Sequence, residues 1–527
     1  MDESLGRGQR FRSQPYIEEK KKLEILSDKT RRGSNQLILF LHGPGGCGKT
    51  TVIDLVIEYA REYCSYMQTY QFSSRTIIIT AMTGVAATLL LGETTHSALY
   101  LNQKKPIQQE QVEAWESTRL LIIDEISFAS KEDFEQIHQN LRQLKQCINL
   151  PYGNLHIVFA GDMRQLEPVG ANKKPVYAEY CAEFREWVNC YIELNGMHRF
   201  KDDPEWGYLL MRLRNGETTK LDIDKINERV VNSATILPMN IKYATYYNRD
   251  RDAINAALFA ERCNILYKKS GNVNDSLMIF ADELKVQNGS KTYVSFNNCM
   301  ALWENCGEDD VKTPRTAGRM DPVMRLYRGC RIMLPCNKNV KAGQANGTQA
   351  IVERIVLKPN VTPKAIVIQE NIIVSAVCAS NVSHIVLRHS NNRVQPQIFL
   401  IEPKKYTFKA KILKPRLLQV KGGEYEMLEM KGIQLPILVN NATTGHKLQG
   451  SSVDNLFVHS WNYVTNWPYV MLSRVKTRKG LFCRKALSKD LGKYAVPDSL
   501  SRMLDKMHKR TPSYWSEEQY DEFFSES

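Results

Sequence analysis

Several features are missing from this 527-residue chain. No apolar run approaches the roughly 18 residues needed to span a bilayer, so no membrane segment is expected. The first residues hold no apolar signal core, and Asp2, Glu3, Glu18 and Glu19 speak against a transit peptide. The "KKK" at 20–22 is too short for a nuclear address. Twelve cysteines are present, yet they form neither a Cys-x-x-Cys pair nor a zinc-type spacing. Free thiols in a reducing, intracellular compartment are therefore expected. In a eukaryote that compartment would be the nucleus or the mitochondrion, and the sequence does not choose between them. Internal repeats of short period are also lacking.

What remains is a globular composition, 43% hydrophobic and 24% charged. The length allows roughly two to four domains. Lys and Arg number 71 against 57 Asp and Glu, a formal charge of +14. Such an excess favours a polyanionic partner, most commonly nucleic acid, although an ordinary basic surface gives the same count.

From Gln36 onward a short apolar run, a polar turn and an amphipathic run recur. "QLILFLHG" leads into "KTTVIDLVIEYAREY", "TIIITAMTG" into "VAATLLLG", and "RLLIIDE" and "LHIVFAGD" follow. Continuous β-branched runs with polar ends are the signature of buried parallel strands. Their alternation with helices predicts a doubly wound α/β domain over 35–204. A second α/β domain is expected over 205–346 and 431–492, with "ILPMNIKYATYYNRDRDAINAALF" as strand, turn and helix and "NLFVHS" and "GLFCRKA" as later strands. Between its halves, "AIVERIVL", "KAIVIQ", "SHIVLRH" and "QIFLIEP" predict a small all-β insertion over 347–430. Residues 1–34 read as a charged N-terminal segment and 493–527 as a C-terminal tail with an acidic end. The stretch 264–325 resists assignment.

"GPGGCGKT" fits the phosphate-loop pattern and sits between an apolar strand and a helix, the context that this motif requires. Gly43, Gly45, Gly46 and Gly48 would let backbone N–H groups approach phosphates, and the helix N-terminus adds a favourable dipole. Lys49 would reach the β- and γ-phosphates, Thr50 would ligate magnesium, and Thr51 follows in the same turn. In "LLIIDEIS", Asp124 and Glu125 end a predicted strand at the ligand edge of the sheet. Asp124 is then the metal-side acid and Glu125 the base for the attacking water. Positive charge for the transferring phosphoryl group could come from Arg199 in "LNGMHRF" or Arg474 in "YVMLSRVKT".

Taken in order, these motifs resemble superfamily-one DNA helicases, specifically the Pif family within the RecD-like branch. The likeness also rests on "TAMTGVAATLLLGETTHS", "FAGDMRQLEPV", "ATYYNRDRDAIN", "GCRIMLPCNKNVKAGQANGT", "TTGHKLQGSSVD" and "YVMLSRVKTRKGLF". The resemblance implies two RecA-like P-loop motor domains, the second with an SH3-like β-insertion. It implies ATP and Mg2+ as cofactors, 5′-to-3′ translocation on single-stranded DNA and the opening of forked duplexes, in replication, repair, recombination or telomere maintenance. It further implies that Gln165 senses the γ-phosphate, that Arg199 contacts that phosphate, and that Arg474 serves as an arginine finger. Thr83, Gly84 and His96 would contact DNA from the first domain, and Thr444 and His446 from the second. A monomer is favoured.

Two departures stand out. The family's Leu-Asn-x-x-Gln signature before the phosphate loop has no counterpart beyond Gln14 in "FRSQPYIEEK". In the second DNA loop, Gly445 replaces an aliphatic residue and Leu448 a serine. Nearby, Trp461, Tyr463, Trp467 and Tyr469 could stack on bases, with core or hinge packing the commoner role for such rings. Tyr246, Tyr247, Asn248 and Arg249 could bind DNA or nucleotide, or serve as turn residues. The competing readings are a DNA-binding NTPase scaffold that unwinds little or nothing, and a P-loop kinase or switch NTPase.

Overall fold

The structure is a computed structural model that describes residues 36–66, 71–101, 103, 105–168, 173–238, 240–270, 276–286, 321, 323–336, 338–339, 342–368, 372–390, 394–413, 425–464 and 466–511. The charged segment 1–34, including Gln14 and the lysines at 20–22, and the acidic end of the tail lie outside the described residues. The chain divides into two compact units, one up to Thr219 with Val464–Tyr469 and the residues from Asp490, the other Lys220–Tyr463 with Val470–Lys489.

The first unit is built on six parallel strands: β1 Ile38–His42, β2 Ile77–Ala81, β3 Glu93–Thr94, β4 Leu120–Asp124, β5 His156–Gly161 and β6 Cys190–Glu193. Their order is β3-β2-β4-β5-β1-β6. Alternate residues of a strand face opposite sides, and here both sides are covered. Ile38, Phe40, Leu121, Ile123, Ile157 and Phe159 join one core. Leu39, Leu41, Ile122, Val158 and Ala160 join the other with Ile53. Double burial is the reason these strands read as continuous apolar runs.

The first unit reaches further than the expected boundary at 204. Helix Pro204–Asn215 is capped by the Asp203 carboxylate, begins with proline and ends at Gly216 with φ +79°; it buries Trp206, Leu209, Leu210 and Leu213. Residues from 493 are not simply a tail. Helix Asp498–His508 places Leu500, Met503, Leu504 and Met507 at helical spacing into the core of the first unit. Beyond it, the Arg510 guanidinium donates to the Val188 carbonyl at 2.7 Å.

The second unit has its own parallel sheet, in the order Ala442–Thr444, Lys242–Thr245, Leu456–Val458, Leu481–Cys483. The β-rich module is larger than the 347–430 expected from composition. Strands Ser276–Phe280, Val323–Tyr327 and Arg331–Met333 belong to it, as do Ile433, Leu435, Ile437 and Val439 at its far end. An antiparallel five-stranded sheet and a mixed four-stranded sheet share one apolar core, and a three-stranded antiparallel sheet adjoins them. The early strands escaped notice because they border the stretch without readable periodicity.

Candidate nucleotide and nucleic-acid site

Parallel strands place all their carboxyl ends on one edge, where open α/β sheets bind ligands. Along the edge of the first sheet come His96 after β3, Thr83 and Gly84 after β2, Asp124 and Glu125 at β4, Gln165 after β5, the glycine loop after β1 and Arg199 after β6. The proposed nucleic-acid residues thus occupy one flank and the nucleotide residues the other. With neighbouring strands about 4.8 Å apart, the ends of β3 and β1 lie roughly 19 Å from each other.

The loop between β1 and helix Lys49–Tyr66 is shaped by close packing. The Gly43 N–H donates to the Gly161 carbonyl at 3.2 Å. Gly46 has φ +86°, and a Cβ there would stand 2.4 Å from Arg199 Cβ and 2.9 Å from its Nε. Arg199 is therefore laid directly over the loop, by the short turn His198–Phe200. The Lys49 ammonium donates to the carbonyls of Gly43 at 2.6 Å and Pro44 at 3.0 Å. Gly45 is half-buried, whereas Thr50 and Thr51 are exposed in a first helical turn that holds no acidic residue, an arrangement suited to an anion.

Asp124 and Glu125 carry the electrostatic signature of a cation site. Burial, then the neighbouring Glu125 carboxylate, push Asp124 up to about 7, while Lys49 pulls it the other way. Its Oδ1 is buried without a hydrogen-bond partner. Glu125 sits at φ +54°, a strained conformation that ends β4 and starts the turn Ile126–Phe128. The orphaned Asp124 oxygen and the exposed Thr50 hydroxyl are hard oxygen donors that fit Mg2+, a metal usually held by one or two protein groups plus phosphates and water. Among the described residues no cluster of three or more His, Cys, Asp or Glu could hold a metal unaided.

Gln165 is buried, with its backbone N–H on the Asp162 carbonyl at 2.9 Å and its side-chain amide on Asp162 Oδ2 at 3.3 Å. Asp162, its partners His42 and Arg214, and Glu193 beside those two were missed in the sequence. Asp162 directly follows an apolar strand, much as Asp124 ends one, so the same signal applied to "LHIVFAGD" would have found it. Arg214, in the last turn of an ordinary helix, offered no such signal.

On the other flank, the Thr83 hydroxyl caps helix Gly84–Leu89 by accepting from the Ala86 N–H at 3.3 Å. His96 is half-buried with Nε2 3.8 Å from Asp133 Oδ1. Burial lowers its imidazole pKa against the pull of Asp133. Lys173 joins this corner with its ammonium 2.9 Å from Asp133 Oδ2.

In the second unit, Thr444 ends a strand paired with Lys242–Thr245, and the turn Gly445–Lys447 follows. Asn255 fixes this strand from the adjoining helix through the N–H and carbonyl of Ala442, at 2.8 and 3.3 Å. Thr444 and His446 are half-buried, and burial holds the His446 imidazole below its ordinary pKa. Leu448 is part of the core, which explains why an apolar residue is accepted where the family has serine. Arg474 is 1% exposed, with its guanidinium on the carbonyls of Val470 at 2.8 Å and Ser451 at 3.3 Å and on the Ser473 hydroxyl at 2.8 Å. It is not a surface arginine. Trp467 and Tyr469 are core residues rather than a stacking platform, while the Trp461 indole donates to the Lys485 carbonyl at 2.7 Å and the Tyr463 hydroxyl accepts from the Ser488 N–H at 2.8 Å.

Residues 17–220 match the family model described as PIF1-like helicase. Over that stretch the chain is similar to PIF1-like helicases. It is 24% identical over 478 residues to the ATP-dependent DNA helicase Pif1 of Psychrobacter, covering 84% of this chain and 65% of that one. It is 30% identical over 200 residues to the ATP-dependent DNA helicase RRM3 of Saccharomyces cerevisiae, covering 36% and 26%. The curated relatives matched first are covered over less than two thirds of their own length. Bacteroides Pif1 bound to single-stranded DNA shares the fold, with a TM-score of 0.59, 21% identity, and coverage of 92% of this chain and 96% of that one. That shared fold is two RecA-like domains with additional strands. No described helix is long and apolar enough to cross a membrane.

Proposed function

We propose that this PIF1-like chain is an ATP-dependent DNA helicase that moves 5′-to-3′ along single-stranded DNA and opens forked duplexes. The observation that carries this reading is the single sheet edge on which a glycine phosphate loop, a paired Asp124–Glu125, Gln165 and Arg199 stand next to Thr83, Gly84 and His96. A switch NTPase has no need of that second flank. The named relatives, ATP-dependent DNA helicases, support the same activity.

Lys49 and the loop N–H groups would bind the phosphates, with Thr50 and Asp124 holding Mg2+, which supplies charge neutralisation when bound. Glu125 would take the proton of the attacking water. Arg199, packed on Gly46, would meet the charge that develops on the γ-phosphate, and Gln165 would register whether that phosphate is present. Arg474 is assigned the arginine-finger role. Thr83, Gly84, His96, Thr444 and His446 would hold the strand.

The test is ATP turnover with and without single-stranded DNA, in wild type, Lys49→Ala and Arg474→Ala. DNA should stimulate the wild type, Lys49→Ala should be inactive, and Arg474→Ala should bind ATP while losing most turnover. An ATPase indifferent to DNA would sink the motor reading. Forked substrates with a single 5′ or 3′ tail decide polarity: preference for the 3′ tail would reverse the assigned direction.

A further inference from the structure

Asp162 directly follows β5 and is completely buried, a position where an unpaired carboxylate would be very costly. Its charge is met by Arg214, itself 1% exposed, from helix Pro204–Asn215. The guanidinium donates through Nη2 to Oδ1 at 2.8 Å and through Nε to both oxygens at 3.1 and 3.2 Å. Burial alone would raise the Asp162 pKa, but Arg214 and then His42 hold it well below the carboxylate range.

Two functional segments hang from this pair. On one side, Asp162 accepts from the Arg164 N–H at 3.1 Å and from the Gln165 amide at 3.3 Å, so the carboxylate sets the turn that presents Gln165. On the other, His42, the last residue before Gly43, places Nε2 3.4 Å from Asp162 Oδ1. Its Nδ1 faces the Tyr191 hydroxyl at 2.9 Å and Glu193 Oε1 at 3.2 Å. One guanidinium thus underlies both the sensor turn and the root of the phosphate loop.

We propose that Arg214, acting through Asp162, is the positioning residue that couples Gln165 to the phosphate loop during ATP turnover. This rests on the nucleotide-site reading given above. Arg214 touches no proposed substrate atom; its effect should fall on the catalytic step rather than on nucleotide binding.

Arg214→Lys keeps the charge and removes the planar fork. Asp162→Asn with Arg214→Gln removes both charges together, so no lone buried charge is left to unfold the unit. With DNA present, each should keep the KM for ATP within about threefold and lower kcat at least about tenfold, the pattern of an interaction that matters only in the transition state. Adding Gln165→Ala to the charge-neutral pair should cost little more, because the changes interrupt the same route. An unchanged kcat in Arg214→Lys, with or without a lower melting temperature, would overturn the proposal. So would a full multiplicative loss on adding Gln165→Ala. Lys49→Ala in the same assay separates the two readings: if it still turns over ATP, the nucleotide-site reading itself fails, whatever Arg214 does.

Discussion

Gly46 shows how far one residue can decide the chemistry. An alanine there must adopt φ +86° and push its methyl against Arg199 Cβ, 2.4 Å away, so strain and displacement act together. The left-handed conformation alone costs a non-glycine residue about 1–2 kcal/mol. Gly329 supplies the control, since its φ is +87° and an added Cβ would meet nothing within 4 Å. Gly329→Ala should therefore lower the melting temperature by strain alone and leave ATP turnover unchanged. Gly46→Ala should also lose turnover by about tenfold or more, equivalent to about 1.4 kcal/mol, through the moved Arg199. Equal ATPase losses in the two variants would show that strain, and not Arg199, is what matters. Residues of this kind were legible because the glycine loop is a local motif. His42 and Arg214 were not, because a buried contact formed across 172 positions of chain leaves no local pattern.

Elements were legible where both faces of a strand are buried, and least so where a helix earns its place only by docking. The apolar strands "ILFLH", "LLIID" and "HIVFAG" could be read because their burial makes the whole run hydrophobic. Helix Asp498–His508 shows only four core residues among polar ones, next to an acidic end, and so resembled a tail. Its stability comes from tertiary contact, as is usual for helices of this length. Leu504→Ala should cost about 2–5 kcal/mol if that contact is as tight as its burial indicates. The same substitution at Leu221, 64% exposed on helix Lys220–Asn227, should stay within about 0.5 kcal/mol. Chemical denaturation followed by fluorescence measures both. A Leu504→Ala protein as stable as the Leu221→Ala protein would mean that this helix is dispensable to the core.

For the whole molecule, the titrations most informative about stability pull in opposite directions. His156 and His389 are lowered by burial, and His138 by burial and then Arg142. Each takes up a proton less readily in the fold than in the unfolded chain, where an imidazole titrates at its ordinary 6.5. Their contribution is complete above that value and declines as pH falls. Asp124 behaves in the reverse sense. Its folded pKa of about 7 lies above the ordinary 3.8, so the native state holds a proton that the unfolded state has already released. Its contribution is complete below 3.8 and lost as pH rises through about 7. Asp124→Asn, measured without Mg2+ or nucleotide, separates the two effects. At pH 8 it should be more stable than wild type, by roughly 1 kcal/mol or more, the worth of about one pKa unit. That advantage should shrink as pH falls through 7, and the variant should then lose stability more steeply than wild type as the histidines take over. Added Mg2+ should narrow the difference at pH 8 by stabilising only the protein that keeps the carboxylate. Parallel stability curves for the two proteins from pH 8 to pH 5 would show that Asp124 titrates as an ordinary surface acid, and the cation site would lose its electrostatic basis.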